Sequence, residues 1–181
     1  MRSTYNFGPA SPDEQIVFGA NRPGYHSEDP EKVPESEVEA WIAAMISEQI
    51  NRVVCLLHDE QLAFYTSVPG GLLARYRHAF GQENVLHARV EDYHLIDTSD
   101  LERVIDFLLR SEASGTRVVV HCSGGSGRTG HVLAAWLVHG RGHDVREALR
   151  IASQARNPRE AVNCGNATEA ELIGLLQRST V

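Results

Sequence analysis

The chain has 181 residues, 42% of them hydrophobic and 23% charged, so we expect residues 1–181 to form a single domain with a substantial core. Its formal net charge of −7 disfavours general binding to nucleic acid or to acidic membranes. It lacks the roughly 20 consecutive apolar residues of a membrane span, and its three cysteines have no disulfide-framework spacing, so we expect a cytoplasmic protein.

Strands and helices alternate along the first half of the chain. The stretch 35–49 is predicted to be helical, because Val38, Trp41 and Met45 fall on one face. The continuous apolar run 52–57 is typical of a buried parallel strand. In chain order we predict an irregular leader over 1–15, a strand over 15–20, the helix over 35–49, the strand over 52–57 and a helix over 72–80.

The same alternation continues in the second half. Asp100 suits the N-cap or first turn of a helix that begins at residue 101. Alternation of this kind predicts an α/β fold, with a central, mostly parallel twisted sheet and helices on both faces. The predicted strands are 85–90 and 117–120, and the predicted helices are 101–109, 131–138, 145–154 and 168–178.

Residues 121–130, which read HCSGGSGRTG, are the most informative stretch. They lie between a predicted strand and a predicted helix, so residues 117–139 form a strand–loop–helix unit with a phosphate loop (P-loop) at its centre. A loop that closes onto a helix N-terminus turns successive N–H groups into one hollow and makes an anion site. Cys122 adds a nucleophile to this hollow, and Arg128 adds a two-pronged phosphate clamp.

Each residue of this loop has a predicted role in phosphate chemistry. The positive hollow favours the thiolate of Cys122, which attacks the phosphorus atom. Thr129 donates its hydroxyl to the sulfur when the sulfur leaves, and His121 orders the loop by hydrogen bonding. The predicted phosphate-binding residues are Ser123, Gly124, Gly125, Ser126, Gly127 and Arg128.

A cysteine six positions before an arginine that is followed by threonine resembles the cysteine-dependent protein tyrosine phosphatase superfamily. The form HCSGGSGRTG is most similar to the compact dual-specificity-like branch, and the resemblance extends over about residues 15–165. It implies a phosphoprotein phosphatase that hydrolyses phosphotyrosine through a phosphocysteine intermediate, with phosphoserine and phosphothreonine as further substrates. It implies no cofactor and no metal, and we expect a monomer without nucleic-acid or membrane partners.

The resemblance also places a general acid about thirty residues before the cysteine, on the loop after the preceding strand. Asp92 lies at this position, Asp97 is the rival candidate, and Glu91 is a weaker one. Many relatives carry a later glutamine that positions the hydrolytic water, and this chain has none in the matching stretch. Asn163 or Asn166 substitutes for it, or the Asp92 carboxylate activates the water alone.

The substrate class and two other functions remain open. The side chains between Cys122 and Arg128 are serine and glycine only, whereas relatives acting on phosphoinositides often carry lysines there. This disfavours phosphoinositides, inositol polyphosphates and RNA 5′ ends. The alternatives are a phosphatase of a small phosphorylated metabolite or a phosphoinositide, a catalytically silent phosphate-binding module, and a sulfur transferase that uses a cysteine persulfide.

The resemblance also suggests a candidate partner for Cys122, namely Cys55. Some relatives protect an oxidised nucleophile with a disulfide to a cysteine near the end of the neighbouring strand. Cys55 lies two residues before that position. A packed core thiol is therefore the favoured interpretation, and a disulfide between Cys55 and Cys122 is the alternative.

Overall fold

The computed structural model describes residues 4–178. Within them five strands form one sheet in the spatial order β1-β2-β5-β3-β4. β1 is antiparallel to β2, and all other neighbouring strands are parallel. The strands are β1 (Gly8–Pro9), β2 (Val17–Ala20), β3 (Arg52–Cys55), β4 (Val85–His87) and β5 (Val118–His121).

Helices follow most of the strands and cover both faces of the sheet. They are α1 (Glu35–Ser47), α2 (Asp59–Leu62), α3 (Gly71–Phe80), α4 (Thr98–Ala113), α5 (Gly127–His139), α6 (Val145–Ala152), α7 (Glu160–Asn163) and α8 (Glu169–Gln177). Single 3₁₀ turns lie at Thr4–Asn6, Ala63–Tyr65 and Gln82–Asn84. No helix among residues 4–178 is both long and apolar enough to cross a membrane.

The period of two along each strand divides the core into two layers. Val118 and Val120 of β5 pack with residues of α4, α5, α6 and α8, whereas Val119 between them packs with residues of α1 and α3. The buried strands therefore read as continuous apolar runs, because both of their faces are covered. The predicted α/β architecture, with its mostly parallel sheet, is confirmed.

The predicted irregular leader over 1–15 is wrong for residues 8 and 9, which form β1. Thr4–Asn6 form a 3₁₀ turn, and β1 pairs with β2 through Gly8 opposite Gly19 and Pro9 opposite Phe18. A strand of two residues is too short to produce a periodic sequence signal, which is why sequence reasoning missed it. Residues 1–3 lie outside the described part of the chain.

Candidate active site

The segment 122–126 leaves the carboxyl end of β5 and leads directly into α5. It lines a cavity of about 470 Å³ at that edge of the sheet. Cys122 at its start is 3% exposed, and Arg128, in the first turn of α5, is 2% exposed. All the predicted phosphate-binding residues except Gly125 line this cavity, namely Ser123, Gly124, Ser126, Gly127 and Arg128.

The main-chain carbonyl groups of this segment are occupied by donors from the surrounding protein. Nδ1 of His121 donates to the carbonyl of Cys122 (3.2 Å), and the N–H of Arg22 donates to the carbonyl of Ser123 (2.9 Å). By contrast, the N–H groups of residues 123–126 have no hydrogen-bond partner among residues 4–178. Such a run of free N–H groups before a helix is suited to bind an anion.

Gly125 has the tightest surroundings in the segment. Its φ is +67°, and a Cβ there would overlap the carbonyl group of Ala20 at the end of β2. Only glycine adopts this conformation without a steric penalty and allows so close an approach. Its carbonyl accepts hydrogen bonds from Asn6 Nδ2 (3.3 Å) and from Arg156 Nη1, so the segment is held from two sides.

Arg128 and Asp92 meet in the cavity. Nη2 of Arg128 lies 2.9 Å from Oδ1 of Asp92, and its Nη1 donates to Oε1 of Gln61 (2.7 Å) and to the carbonyl of Val90 (3.0 Å). Nε2 of Gln61 donates in turn to Oδ2 of Asp92 (3.1 Å), so Gln61 links the two charged groups. Nε of Arg128 is buried and has no partner within the described chain.

Behind the cavity lies a layer of buried polar side chains. Nε2 of His121 lies 3.2 Å from the hydroxyl of Tyr76, and burial lowers the pKa of His121 to about 3, so this imidazole is neutral at neutral pH. The hydroxyl of Thr129 is buried and has no partner among the residues described. Cys55 pairs in register with His121, and burial raises the pKa of Cys55 to about 12, so it is a protonated core thiol.

The structure separates the candidate acids. Asp92 lines the cavity together with Cys122 and Arg128. Asp97 lies instead at the start of α4, in a different groove that α8 borders. Glu91 is exposed and does not line the cavity. Of the three carboxylates, Asp92 alone shares the cavity with the cysteine.

The two asparagines predicted to replace a water-positioning glutamine do not line the cavity either. Nδ2 of Asn163 donates to Asn157 Oδ1 (3.4 Å), and Nδ2 of Asn166 donates to the carbonyl of Tyr93 (3.0 Å). Both side chains are exposed. Their positions do not favour a role in activating water at this site.

Glu160, which sequence reasoning missed, does line the cavity. It begins the short helix α7, and its carboxylate lies where a Cβ at Gly127 would be. Burial, and then the negative charge of Asp92, raise the pKa of Glu160, while Arg128 acts in the opposite direction. A four-residue helix carries no periodic signal, so the sequence alone did not reveal that this carboxyl group reaches the site.

Comparison with known families identifies the family and the fold. A family model described as "Swiss Army Knife protein, DSP-PTPase phosphatase domain" matches residues 33–173, which include Asp92, Cys122 and Arg128. The chain belongs to this family. The DSP-PTPase match confirms the predicted resemblance to the cysteine-dependent, dual-specificity-like phosphatases.

Curated relatives of this DSP-PTPase domain match over a shorter stretch. Two uncharacterized proteins of Methanocaldococcus jannaschii are 43% and 41% identical to it over 51 residues, which are 28% of the chain. The aligned stretch covers 35% and 32% of those proteins, so the chain spans about a third of the length of the curated relatives it matches.

Solved phosphatase structures share the fold over most of their length. Tk-PTP in its active form aligns with a TM-score of 0.62 and 22% identity, over 89% of this chain and 93% of that one. PTPMT1 in complex with PI(5)P aligns with a TM-score of 0.65 and 15% identity, over 94% of both chains. P. aeruginosa TpbA in complex with pTyr aligns with a TM-score of 0.51 and 18% identity, over 91% and 87%. These likenesses show a fold shared with solved phosphatases.

Proposed function

We propose that this protein is a phosphoprotein phosphatase that hydrolyses phosphotyrosine, with phosphoserine and phosphothreonine as further substrates, through a phosphocysteine at Cys122. The observation that carries the proposal is the segment 122–128. Its N–H groups from 123 to 126 and the Nε of Arg128 are without partners in the described chain, beside the same cavity as the thiol. A phosphate dianion satisfies such a set of donors.

The first step transfers the phosphoryl group to sulfur. The Cys122 thiolate attacks the phosphorus atom, the S–P bond forms, and the P–O bond to the tyrosine oxygen breaks. Asp92 donates a proton to that leaving oxygen. Its place in the same cavity as Cys122 supports this role, and its contacts with Arg128 and Gln61 fix the position of the carboxyl group. The free N–H groups and Arg128 stabilise the charge on the equatorial oxygens.

The second step releases inorganic phosphate. A water molecule attacks the phosphorus atom, passes its proton to a carboxylate, and the S–P bond breaks as sulfur leaves with the electron pair. We assign stabilisation of the departing thiolate to the Thr129 hydroxyl, which is buried and has no other partner in the described part of the chain. Asp92 accepts the proton, and Glu160 is a second carboxyl group in the same cavity, with a pKa that burial raises above its usual value.

The wall of the cavity favours a phosphotyrosine side chain over a multiply phosphorylated head group. Tyr25 and Tyr93 line it and are 40% and 50% exposed, so they offer aromatic contact to a phenyl ring. The carboxylates of Asp92 and Glu160 in the same cavity repel any second phosphate group.

A kinetic experiment tests the covalent mechanism. The wild-type protein should hydrolyse para-nitrophenyl phosphate in the presence of EDTA, with inhibition by vanadate, and Cys122→Ser should be inactive. Hydrolysis retained by Cys122→Ser excludes the phosphocysteine, and wild-type protein that binds vanadate without turnover indicates the silent phosphate-binding module.

A substrate panel tests the specificity. We expect turnover of matched phosphopeptides to decrease from phosphotyrosine to phosphothreonine and phosphoserine, and to exceed turnover of PI(5)P in vesicles. PTPMT1, a structural neighbour, has been solved in complex with that lipid, so the vesicle arm is the direct alternative. A preference for PI(5)P would reassign the substrate class and leave the mechanism unchanged.

A further inference from the structure

The segment that precedes the family match contributes to the cavity. The match begins at residue 33, yet Asn6, which lies 27 residues earlier in the chain, lines the cavity together with Cys122 and Arg128. Its Nδ2 donates to the carbonyl groups of two consecutive loop residues, Gly124 (3.2 Å) and Gly125 (3.3 Å). The N-terminal segment, here residues 4–9, is therefore in direct contact with the phosphate loop.

The backbone of this segment is held in an uncommon conformation. Tyr5 and Asn6 have φ values of 64° and 50°, so two consecutive non-glycine residues occupy the left-handed region. Asparagine tolerates that region better than most residues, whereas tyrosine does not. Strained residues persist where the surrounding structure holds them, and here the Tyr5 carbonyl accepts a hydrogen bond from the N–H of Asn21 (2.8 Å).

A buried arginine fixes the segment to the loop from the other side. Arg156 is 8% exposed, and its Nη1 donates to the carbonyl of Gly125. Its Nη2 donates to the carbonyl groups of Asn6 (3.3 Å) and Gly8 (3.4 Å). Burial lowers the pKa of Arg156 to about 10, so the guanidinium remains charged at neutral pH. Arg156 and Asn6 therefore donate to the same loop carbonyl, that of Gly125, and Arg156 also donates to the carbonyl of Asn6.

We infer that Asn6 is a positioning residue, whose amide holds the carbonyl groups of Gly124 and Gly125 so that the N–H groups of the loop stay available to the phosphoryl oxygens. A peptide unit that rotates to present its carbonyl to the cavity would place a partial negative charge against the phosphate. The Asn6 amide opposes that rotation at two successive peptide units. The inference rests on the proposed phosphatase function and assigns part of its phosphate site to residues before the family match.

Two substitutions distinguish the effect of the Asn6 amide from the effect of the backbone conformation at residue 6. Asn6→Gly removes the amide and relieves the left-handed strain, whereas Asn6→Ala removes the amide and retains the strain. The matched control is Asn51→Ala, because Asn51 is exposed just before the amino end of β3, away from the phosphate loop at the carboxyl end of β5, and its side-chain amide donates to the nearby carbonyl of Gln49 (3.0 Å). For each protein we would measure kcat and KM with para-nitrophenyl phosphate, vanadate affinity by calorimetry, and the temperature of unfolding.

Both Asn6 variants should lose about tenfold in kcat/KM, mostly in kcat, and should bind vanadate correspondingly more weakly. Asn6→Gly should unfold at a higher temperature than Asn6→Ala yet be no more active, and Asn51→Ala should match the wild type. If Asn6→Gly alone had wild-type activity, the backbone conformation at residue 6 and not the amide would be what matters, and the inference would be overturned. If both variants had wild-type activity, Asn6 would have no role in catalysis. If the wild type bound vanadate without turnover, the proposed function would fail, while the ratio of vanadate affinities would still test the role of Asn6.

Discussion

Replacing Gln61 by leucine removes one neutral side chain that contacts both Arg128 and Asp92. The amide accepts from Arg128 Nη1 (2.7 Å) and donates to Asp92 Oδ2 (3.1 Å). A hydrogen bond to a charged group contributes about 1.5–3 kcal/mol. The Arg128 side chain is 1% exposed and feels the full loss, whereas the Asp92 side chain is 41% exposed and is partly screened by water. We therefore expect kcat/KM to fall roughly 10- to 100-fold.

The leaving group distinguishes which of the two contacts matters. If Gln61 orients Asp92 as the general acid, Gln61→Leu loses more activity with phenyl phosphate than with para-nitrophenyl phosphate, because the poorer leaving group depends more on protonation. That larger loss with phenyl phosphate is the expected result. Gln82→Leu is the control, because Gln82 is exposed in the turn before β4. An unchanged kcat/KM with both substrates would refute the reasoning, and an equal loss with both would confine the role of Gln61 to Arg128.

Three further predictions concern titratable groups. In steady-state kinetics with phenyl phosphate, Asp92→Asn should lower kcat about 100-fold, whereas Asp97→Asn should leave kcat unchanged. The reverse pattern would assign the general acid to Asp97. Glu160→Gln should lower kcat about tenfold, since it removes the second proton-carrying group; an unchanged kcat would limit Glu160 to packing against Gly127. Burial lowers the pKa of His131 from 6.5 to about 4. Between pH 6.5 and pH 4 the unfolded chain therefore binds a proton at His131 that the folded chain does not. The free energy of unfolding falls as the pH falls through this range. His131→Gln should reduce that loss by on the order of 3 kcal/mol in urea titrations at pH 7 and pH 4, and identical pH dependence would contradict it.

Local sequence determined the part of the site that is continuous in the chain. The valines of β5 and the apolar face of α5 flank a glycine-rich loop, and this pattern predicts the strand and the helix, although α5 begins at Gly127 and not at residue 131. The roles of Cys122 and Arg128 were therefore predictable from their spacing, since a loop of this length has few ways to close onto a helix. Asp92 was also predicted, and the structure places it in the cavity with Cys122. The carboxyl ends of neighbouring parallel strands meet at one edge of a sheet, which is why a residue thirty positions away arrives at the same site.

Tertiary structure alone decided the other side chains around the cavity. Gln61, Glu160 and Asn6 lie on two four-residue helices and a single 3₁₀ turn, which are too short to show periodicity. Nothing in their own neighbourhoods marks them, because their partners are 67, 33 and 118 residues away at Arg128, Gly127 and Gly124. Contacts over such separations depend on the order of strands in the sheet and on how the connecting loops pack. The local pattern of residues along the sequence contains neither the strand order nor the packing of the loops.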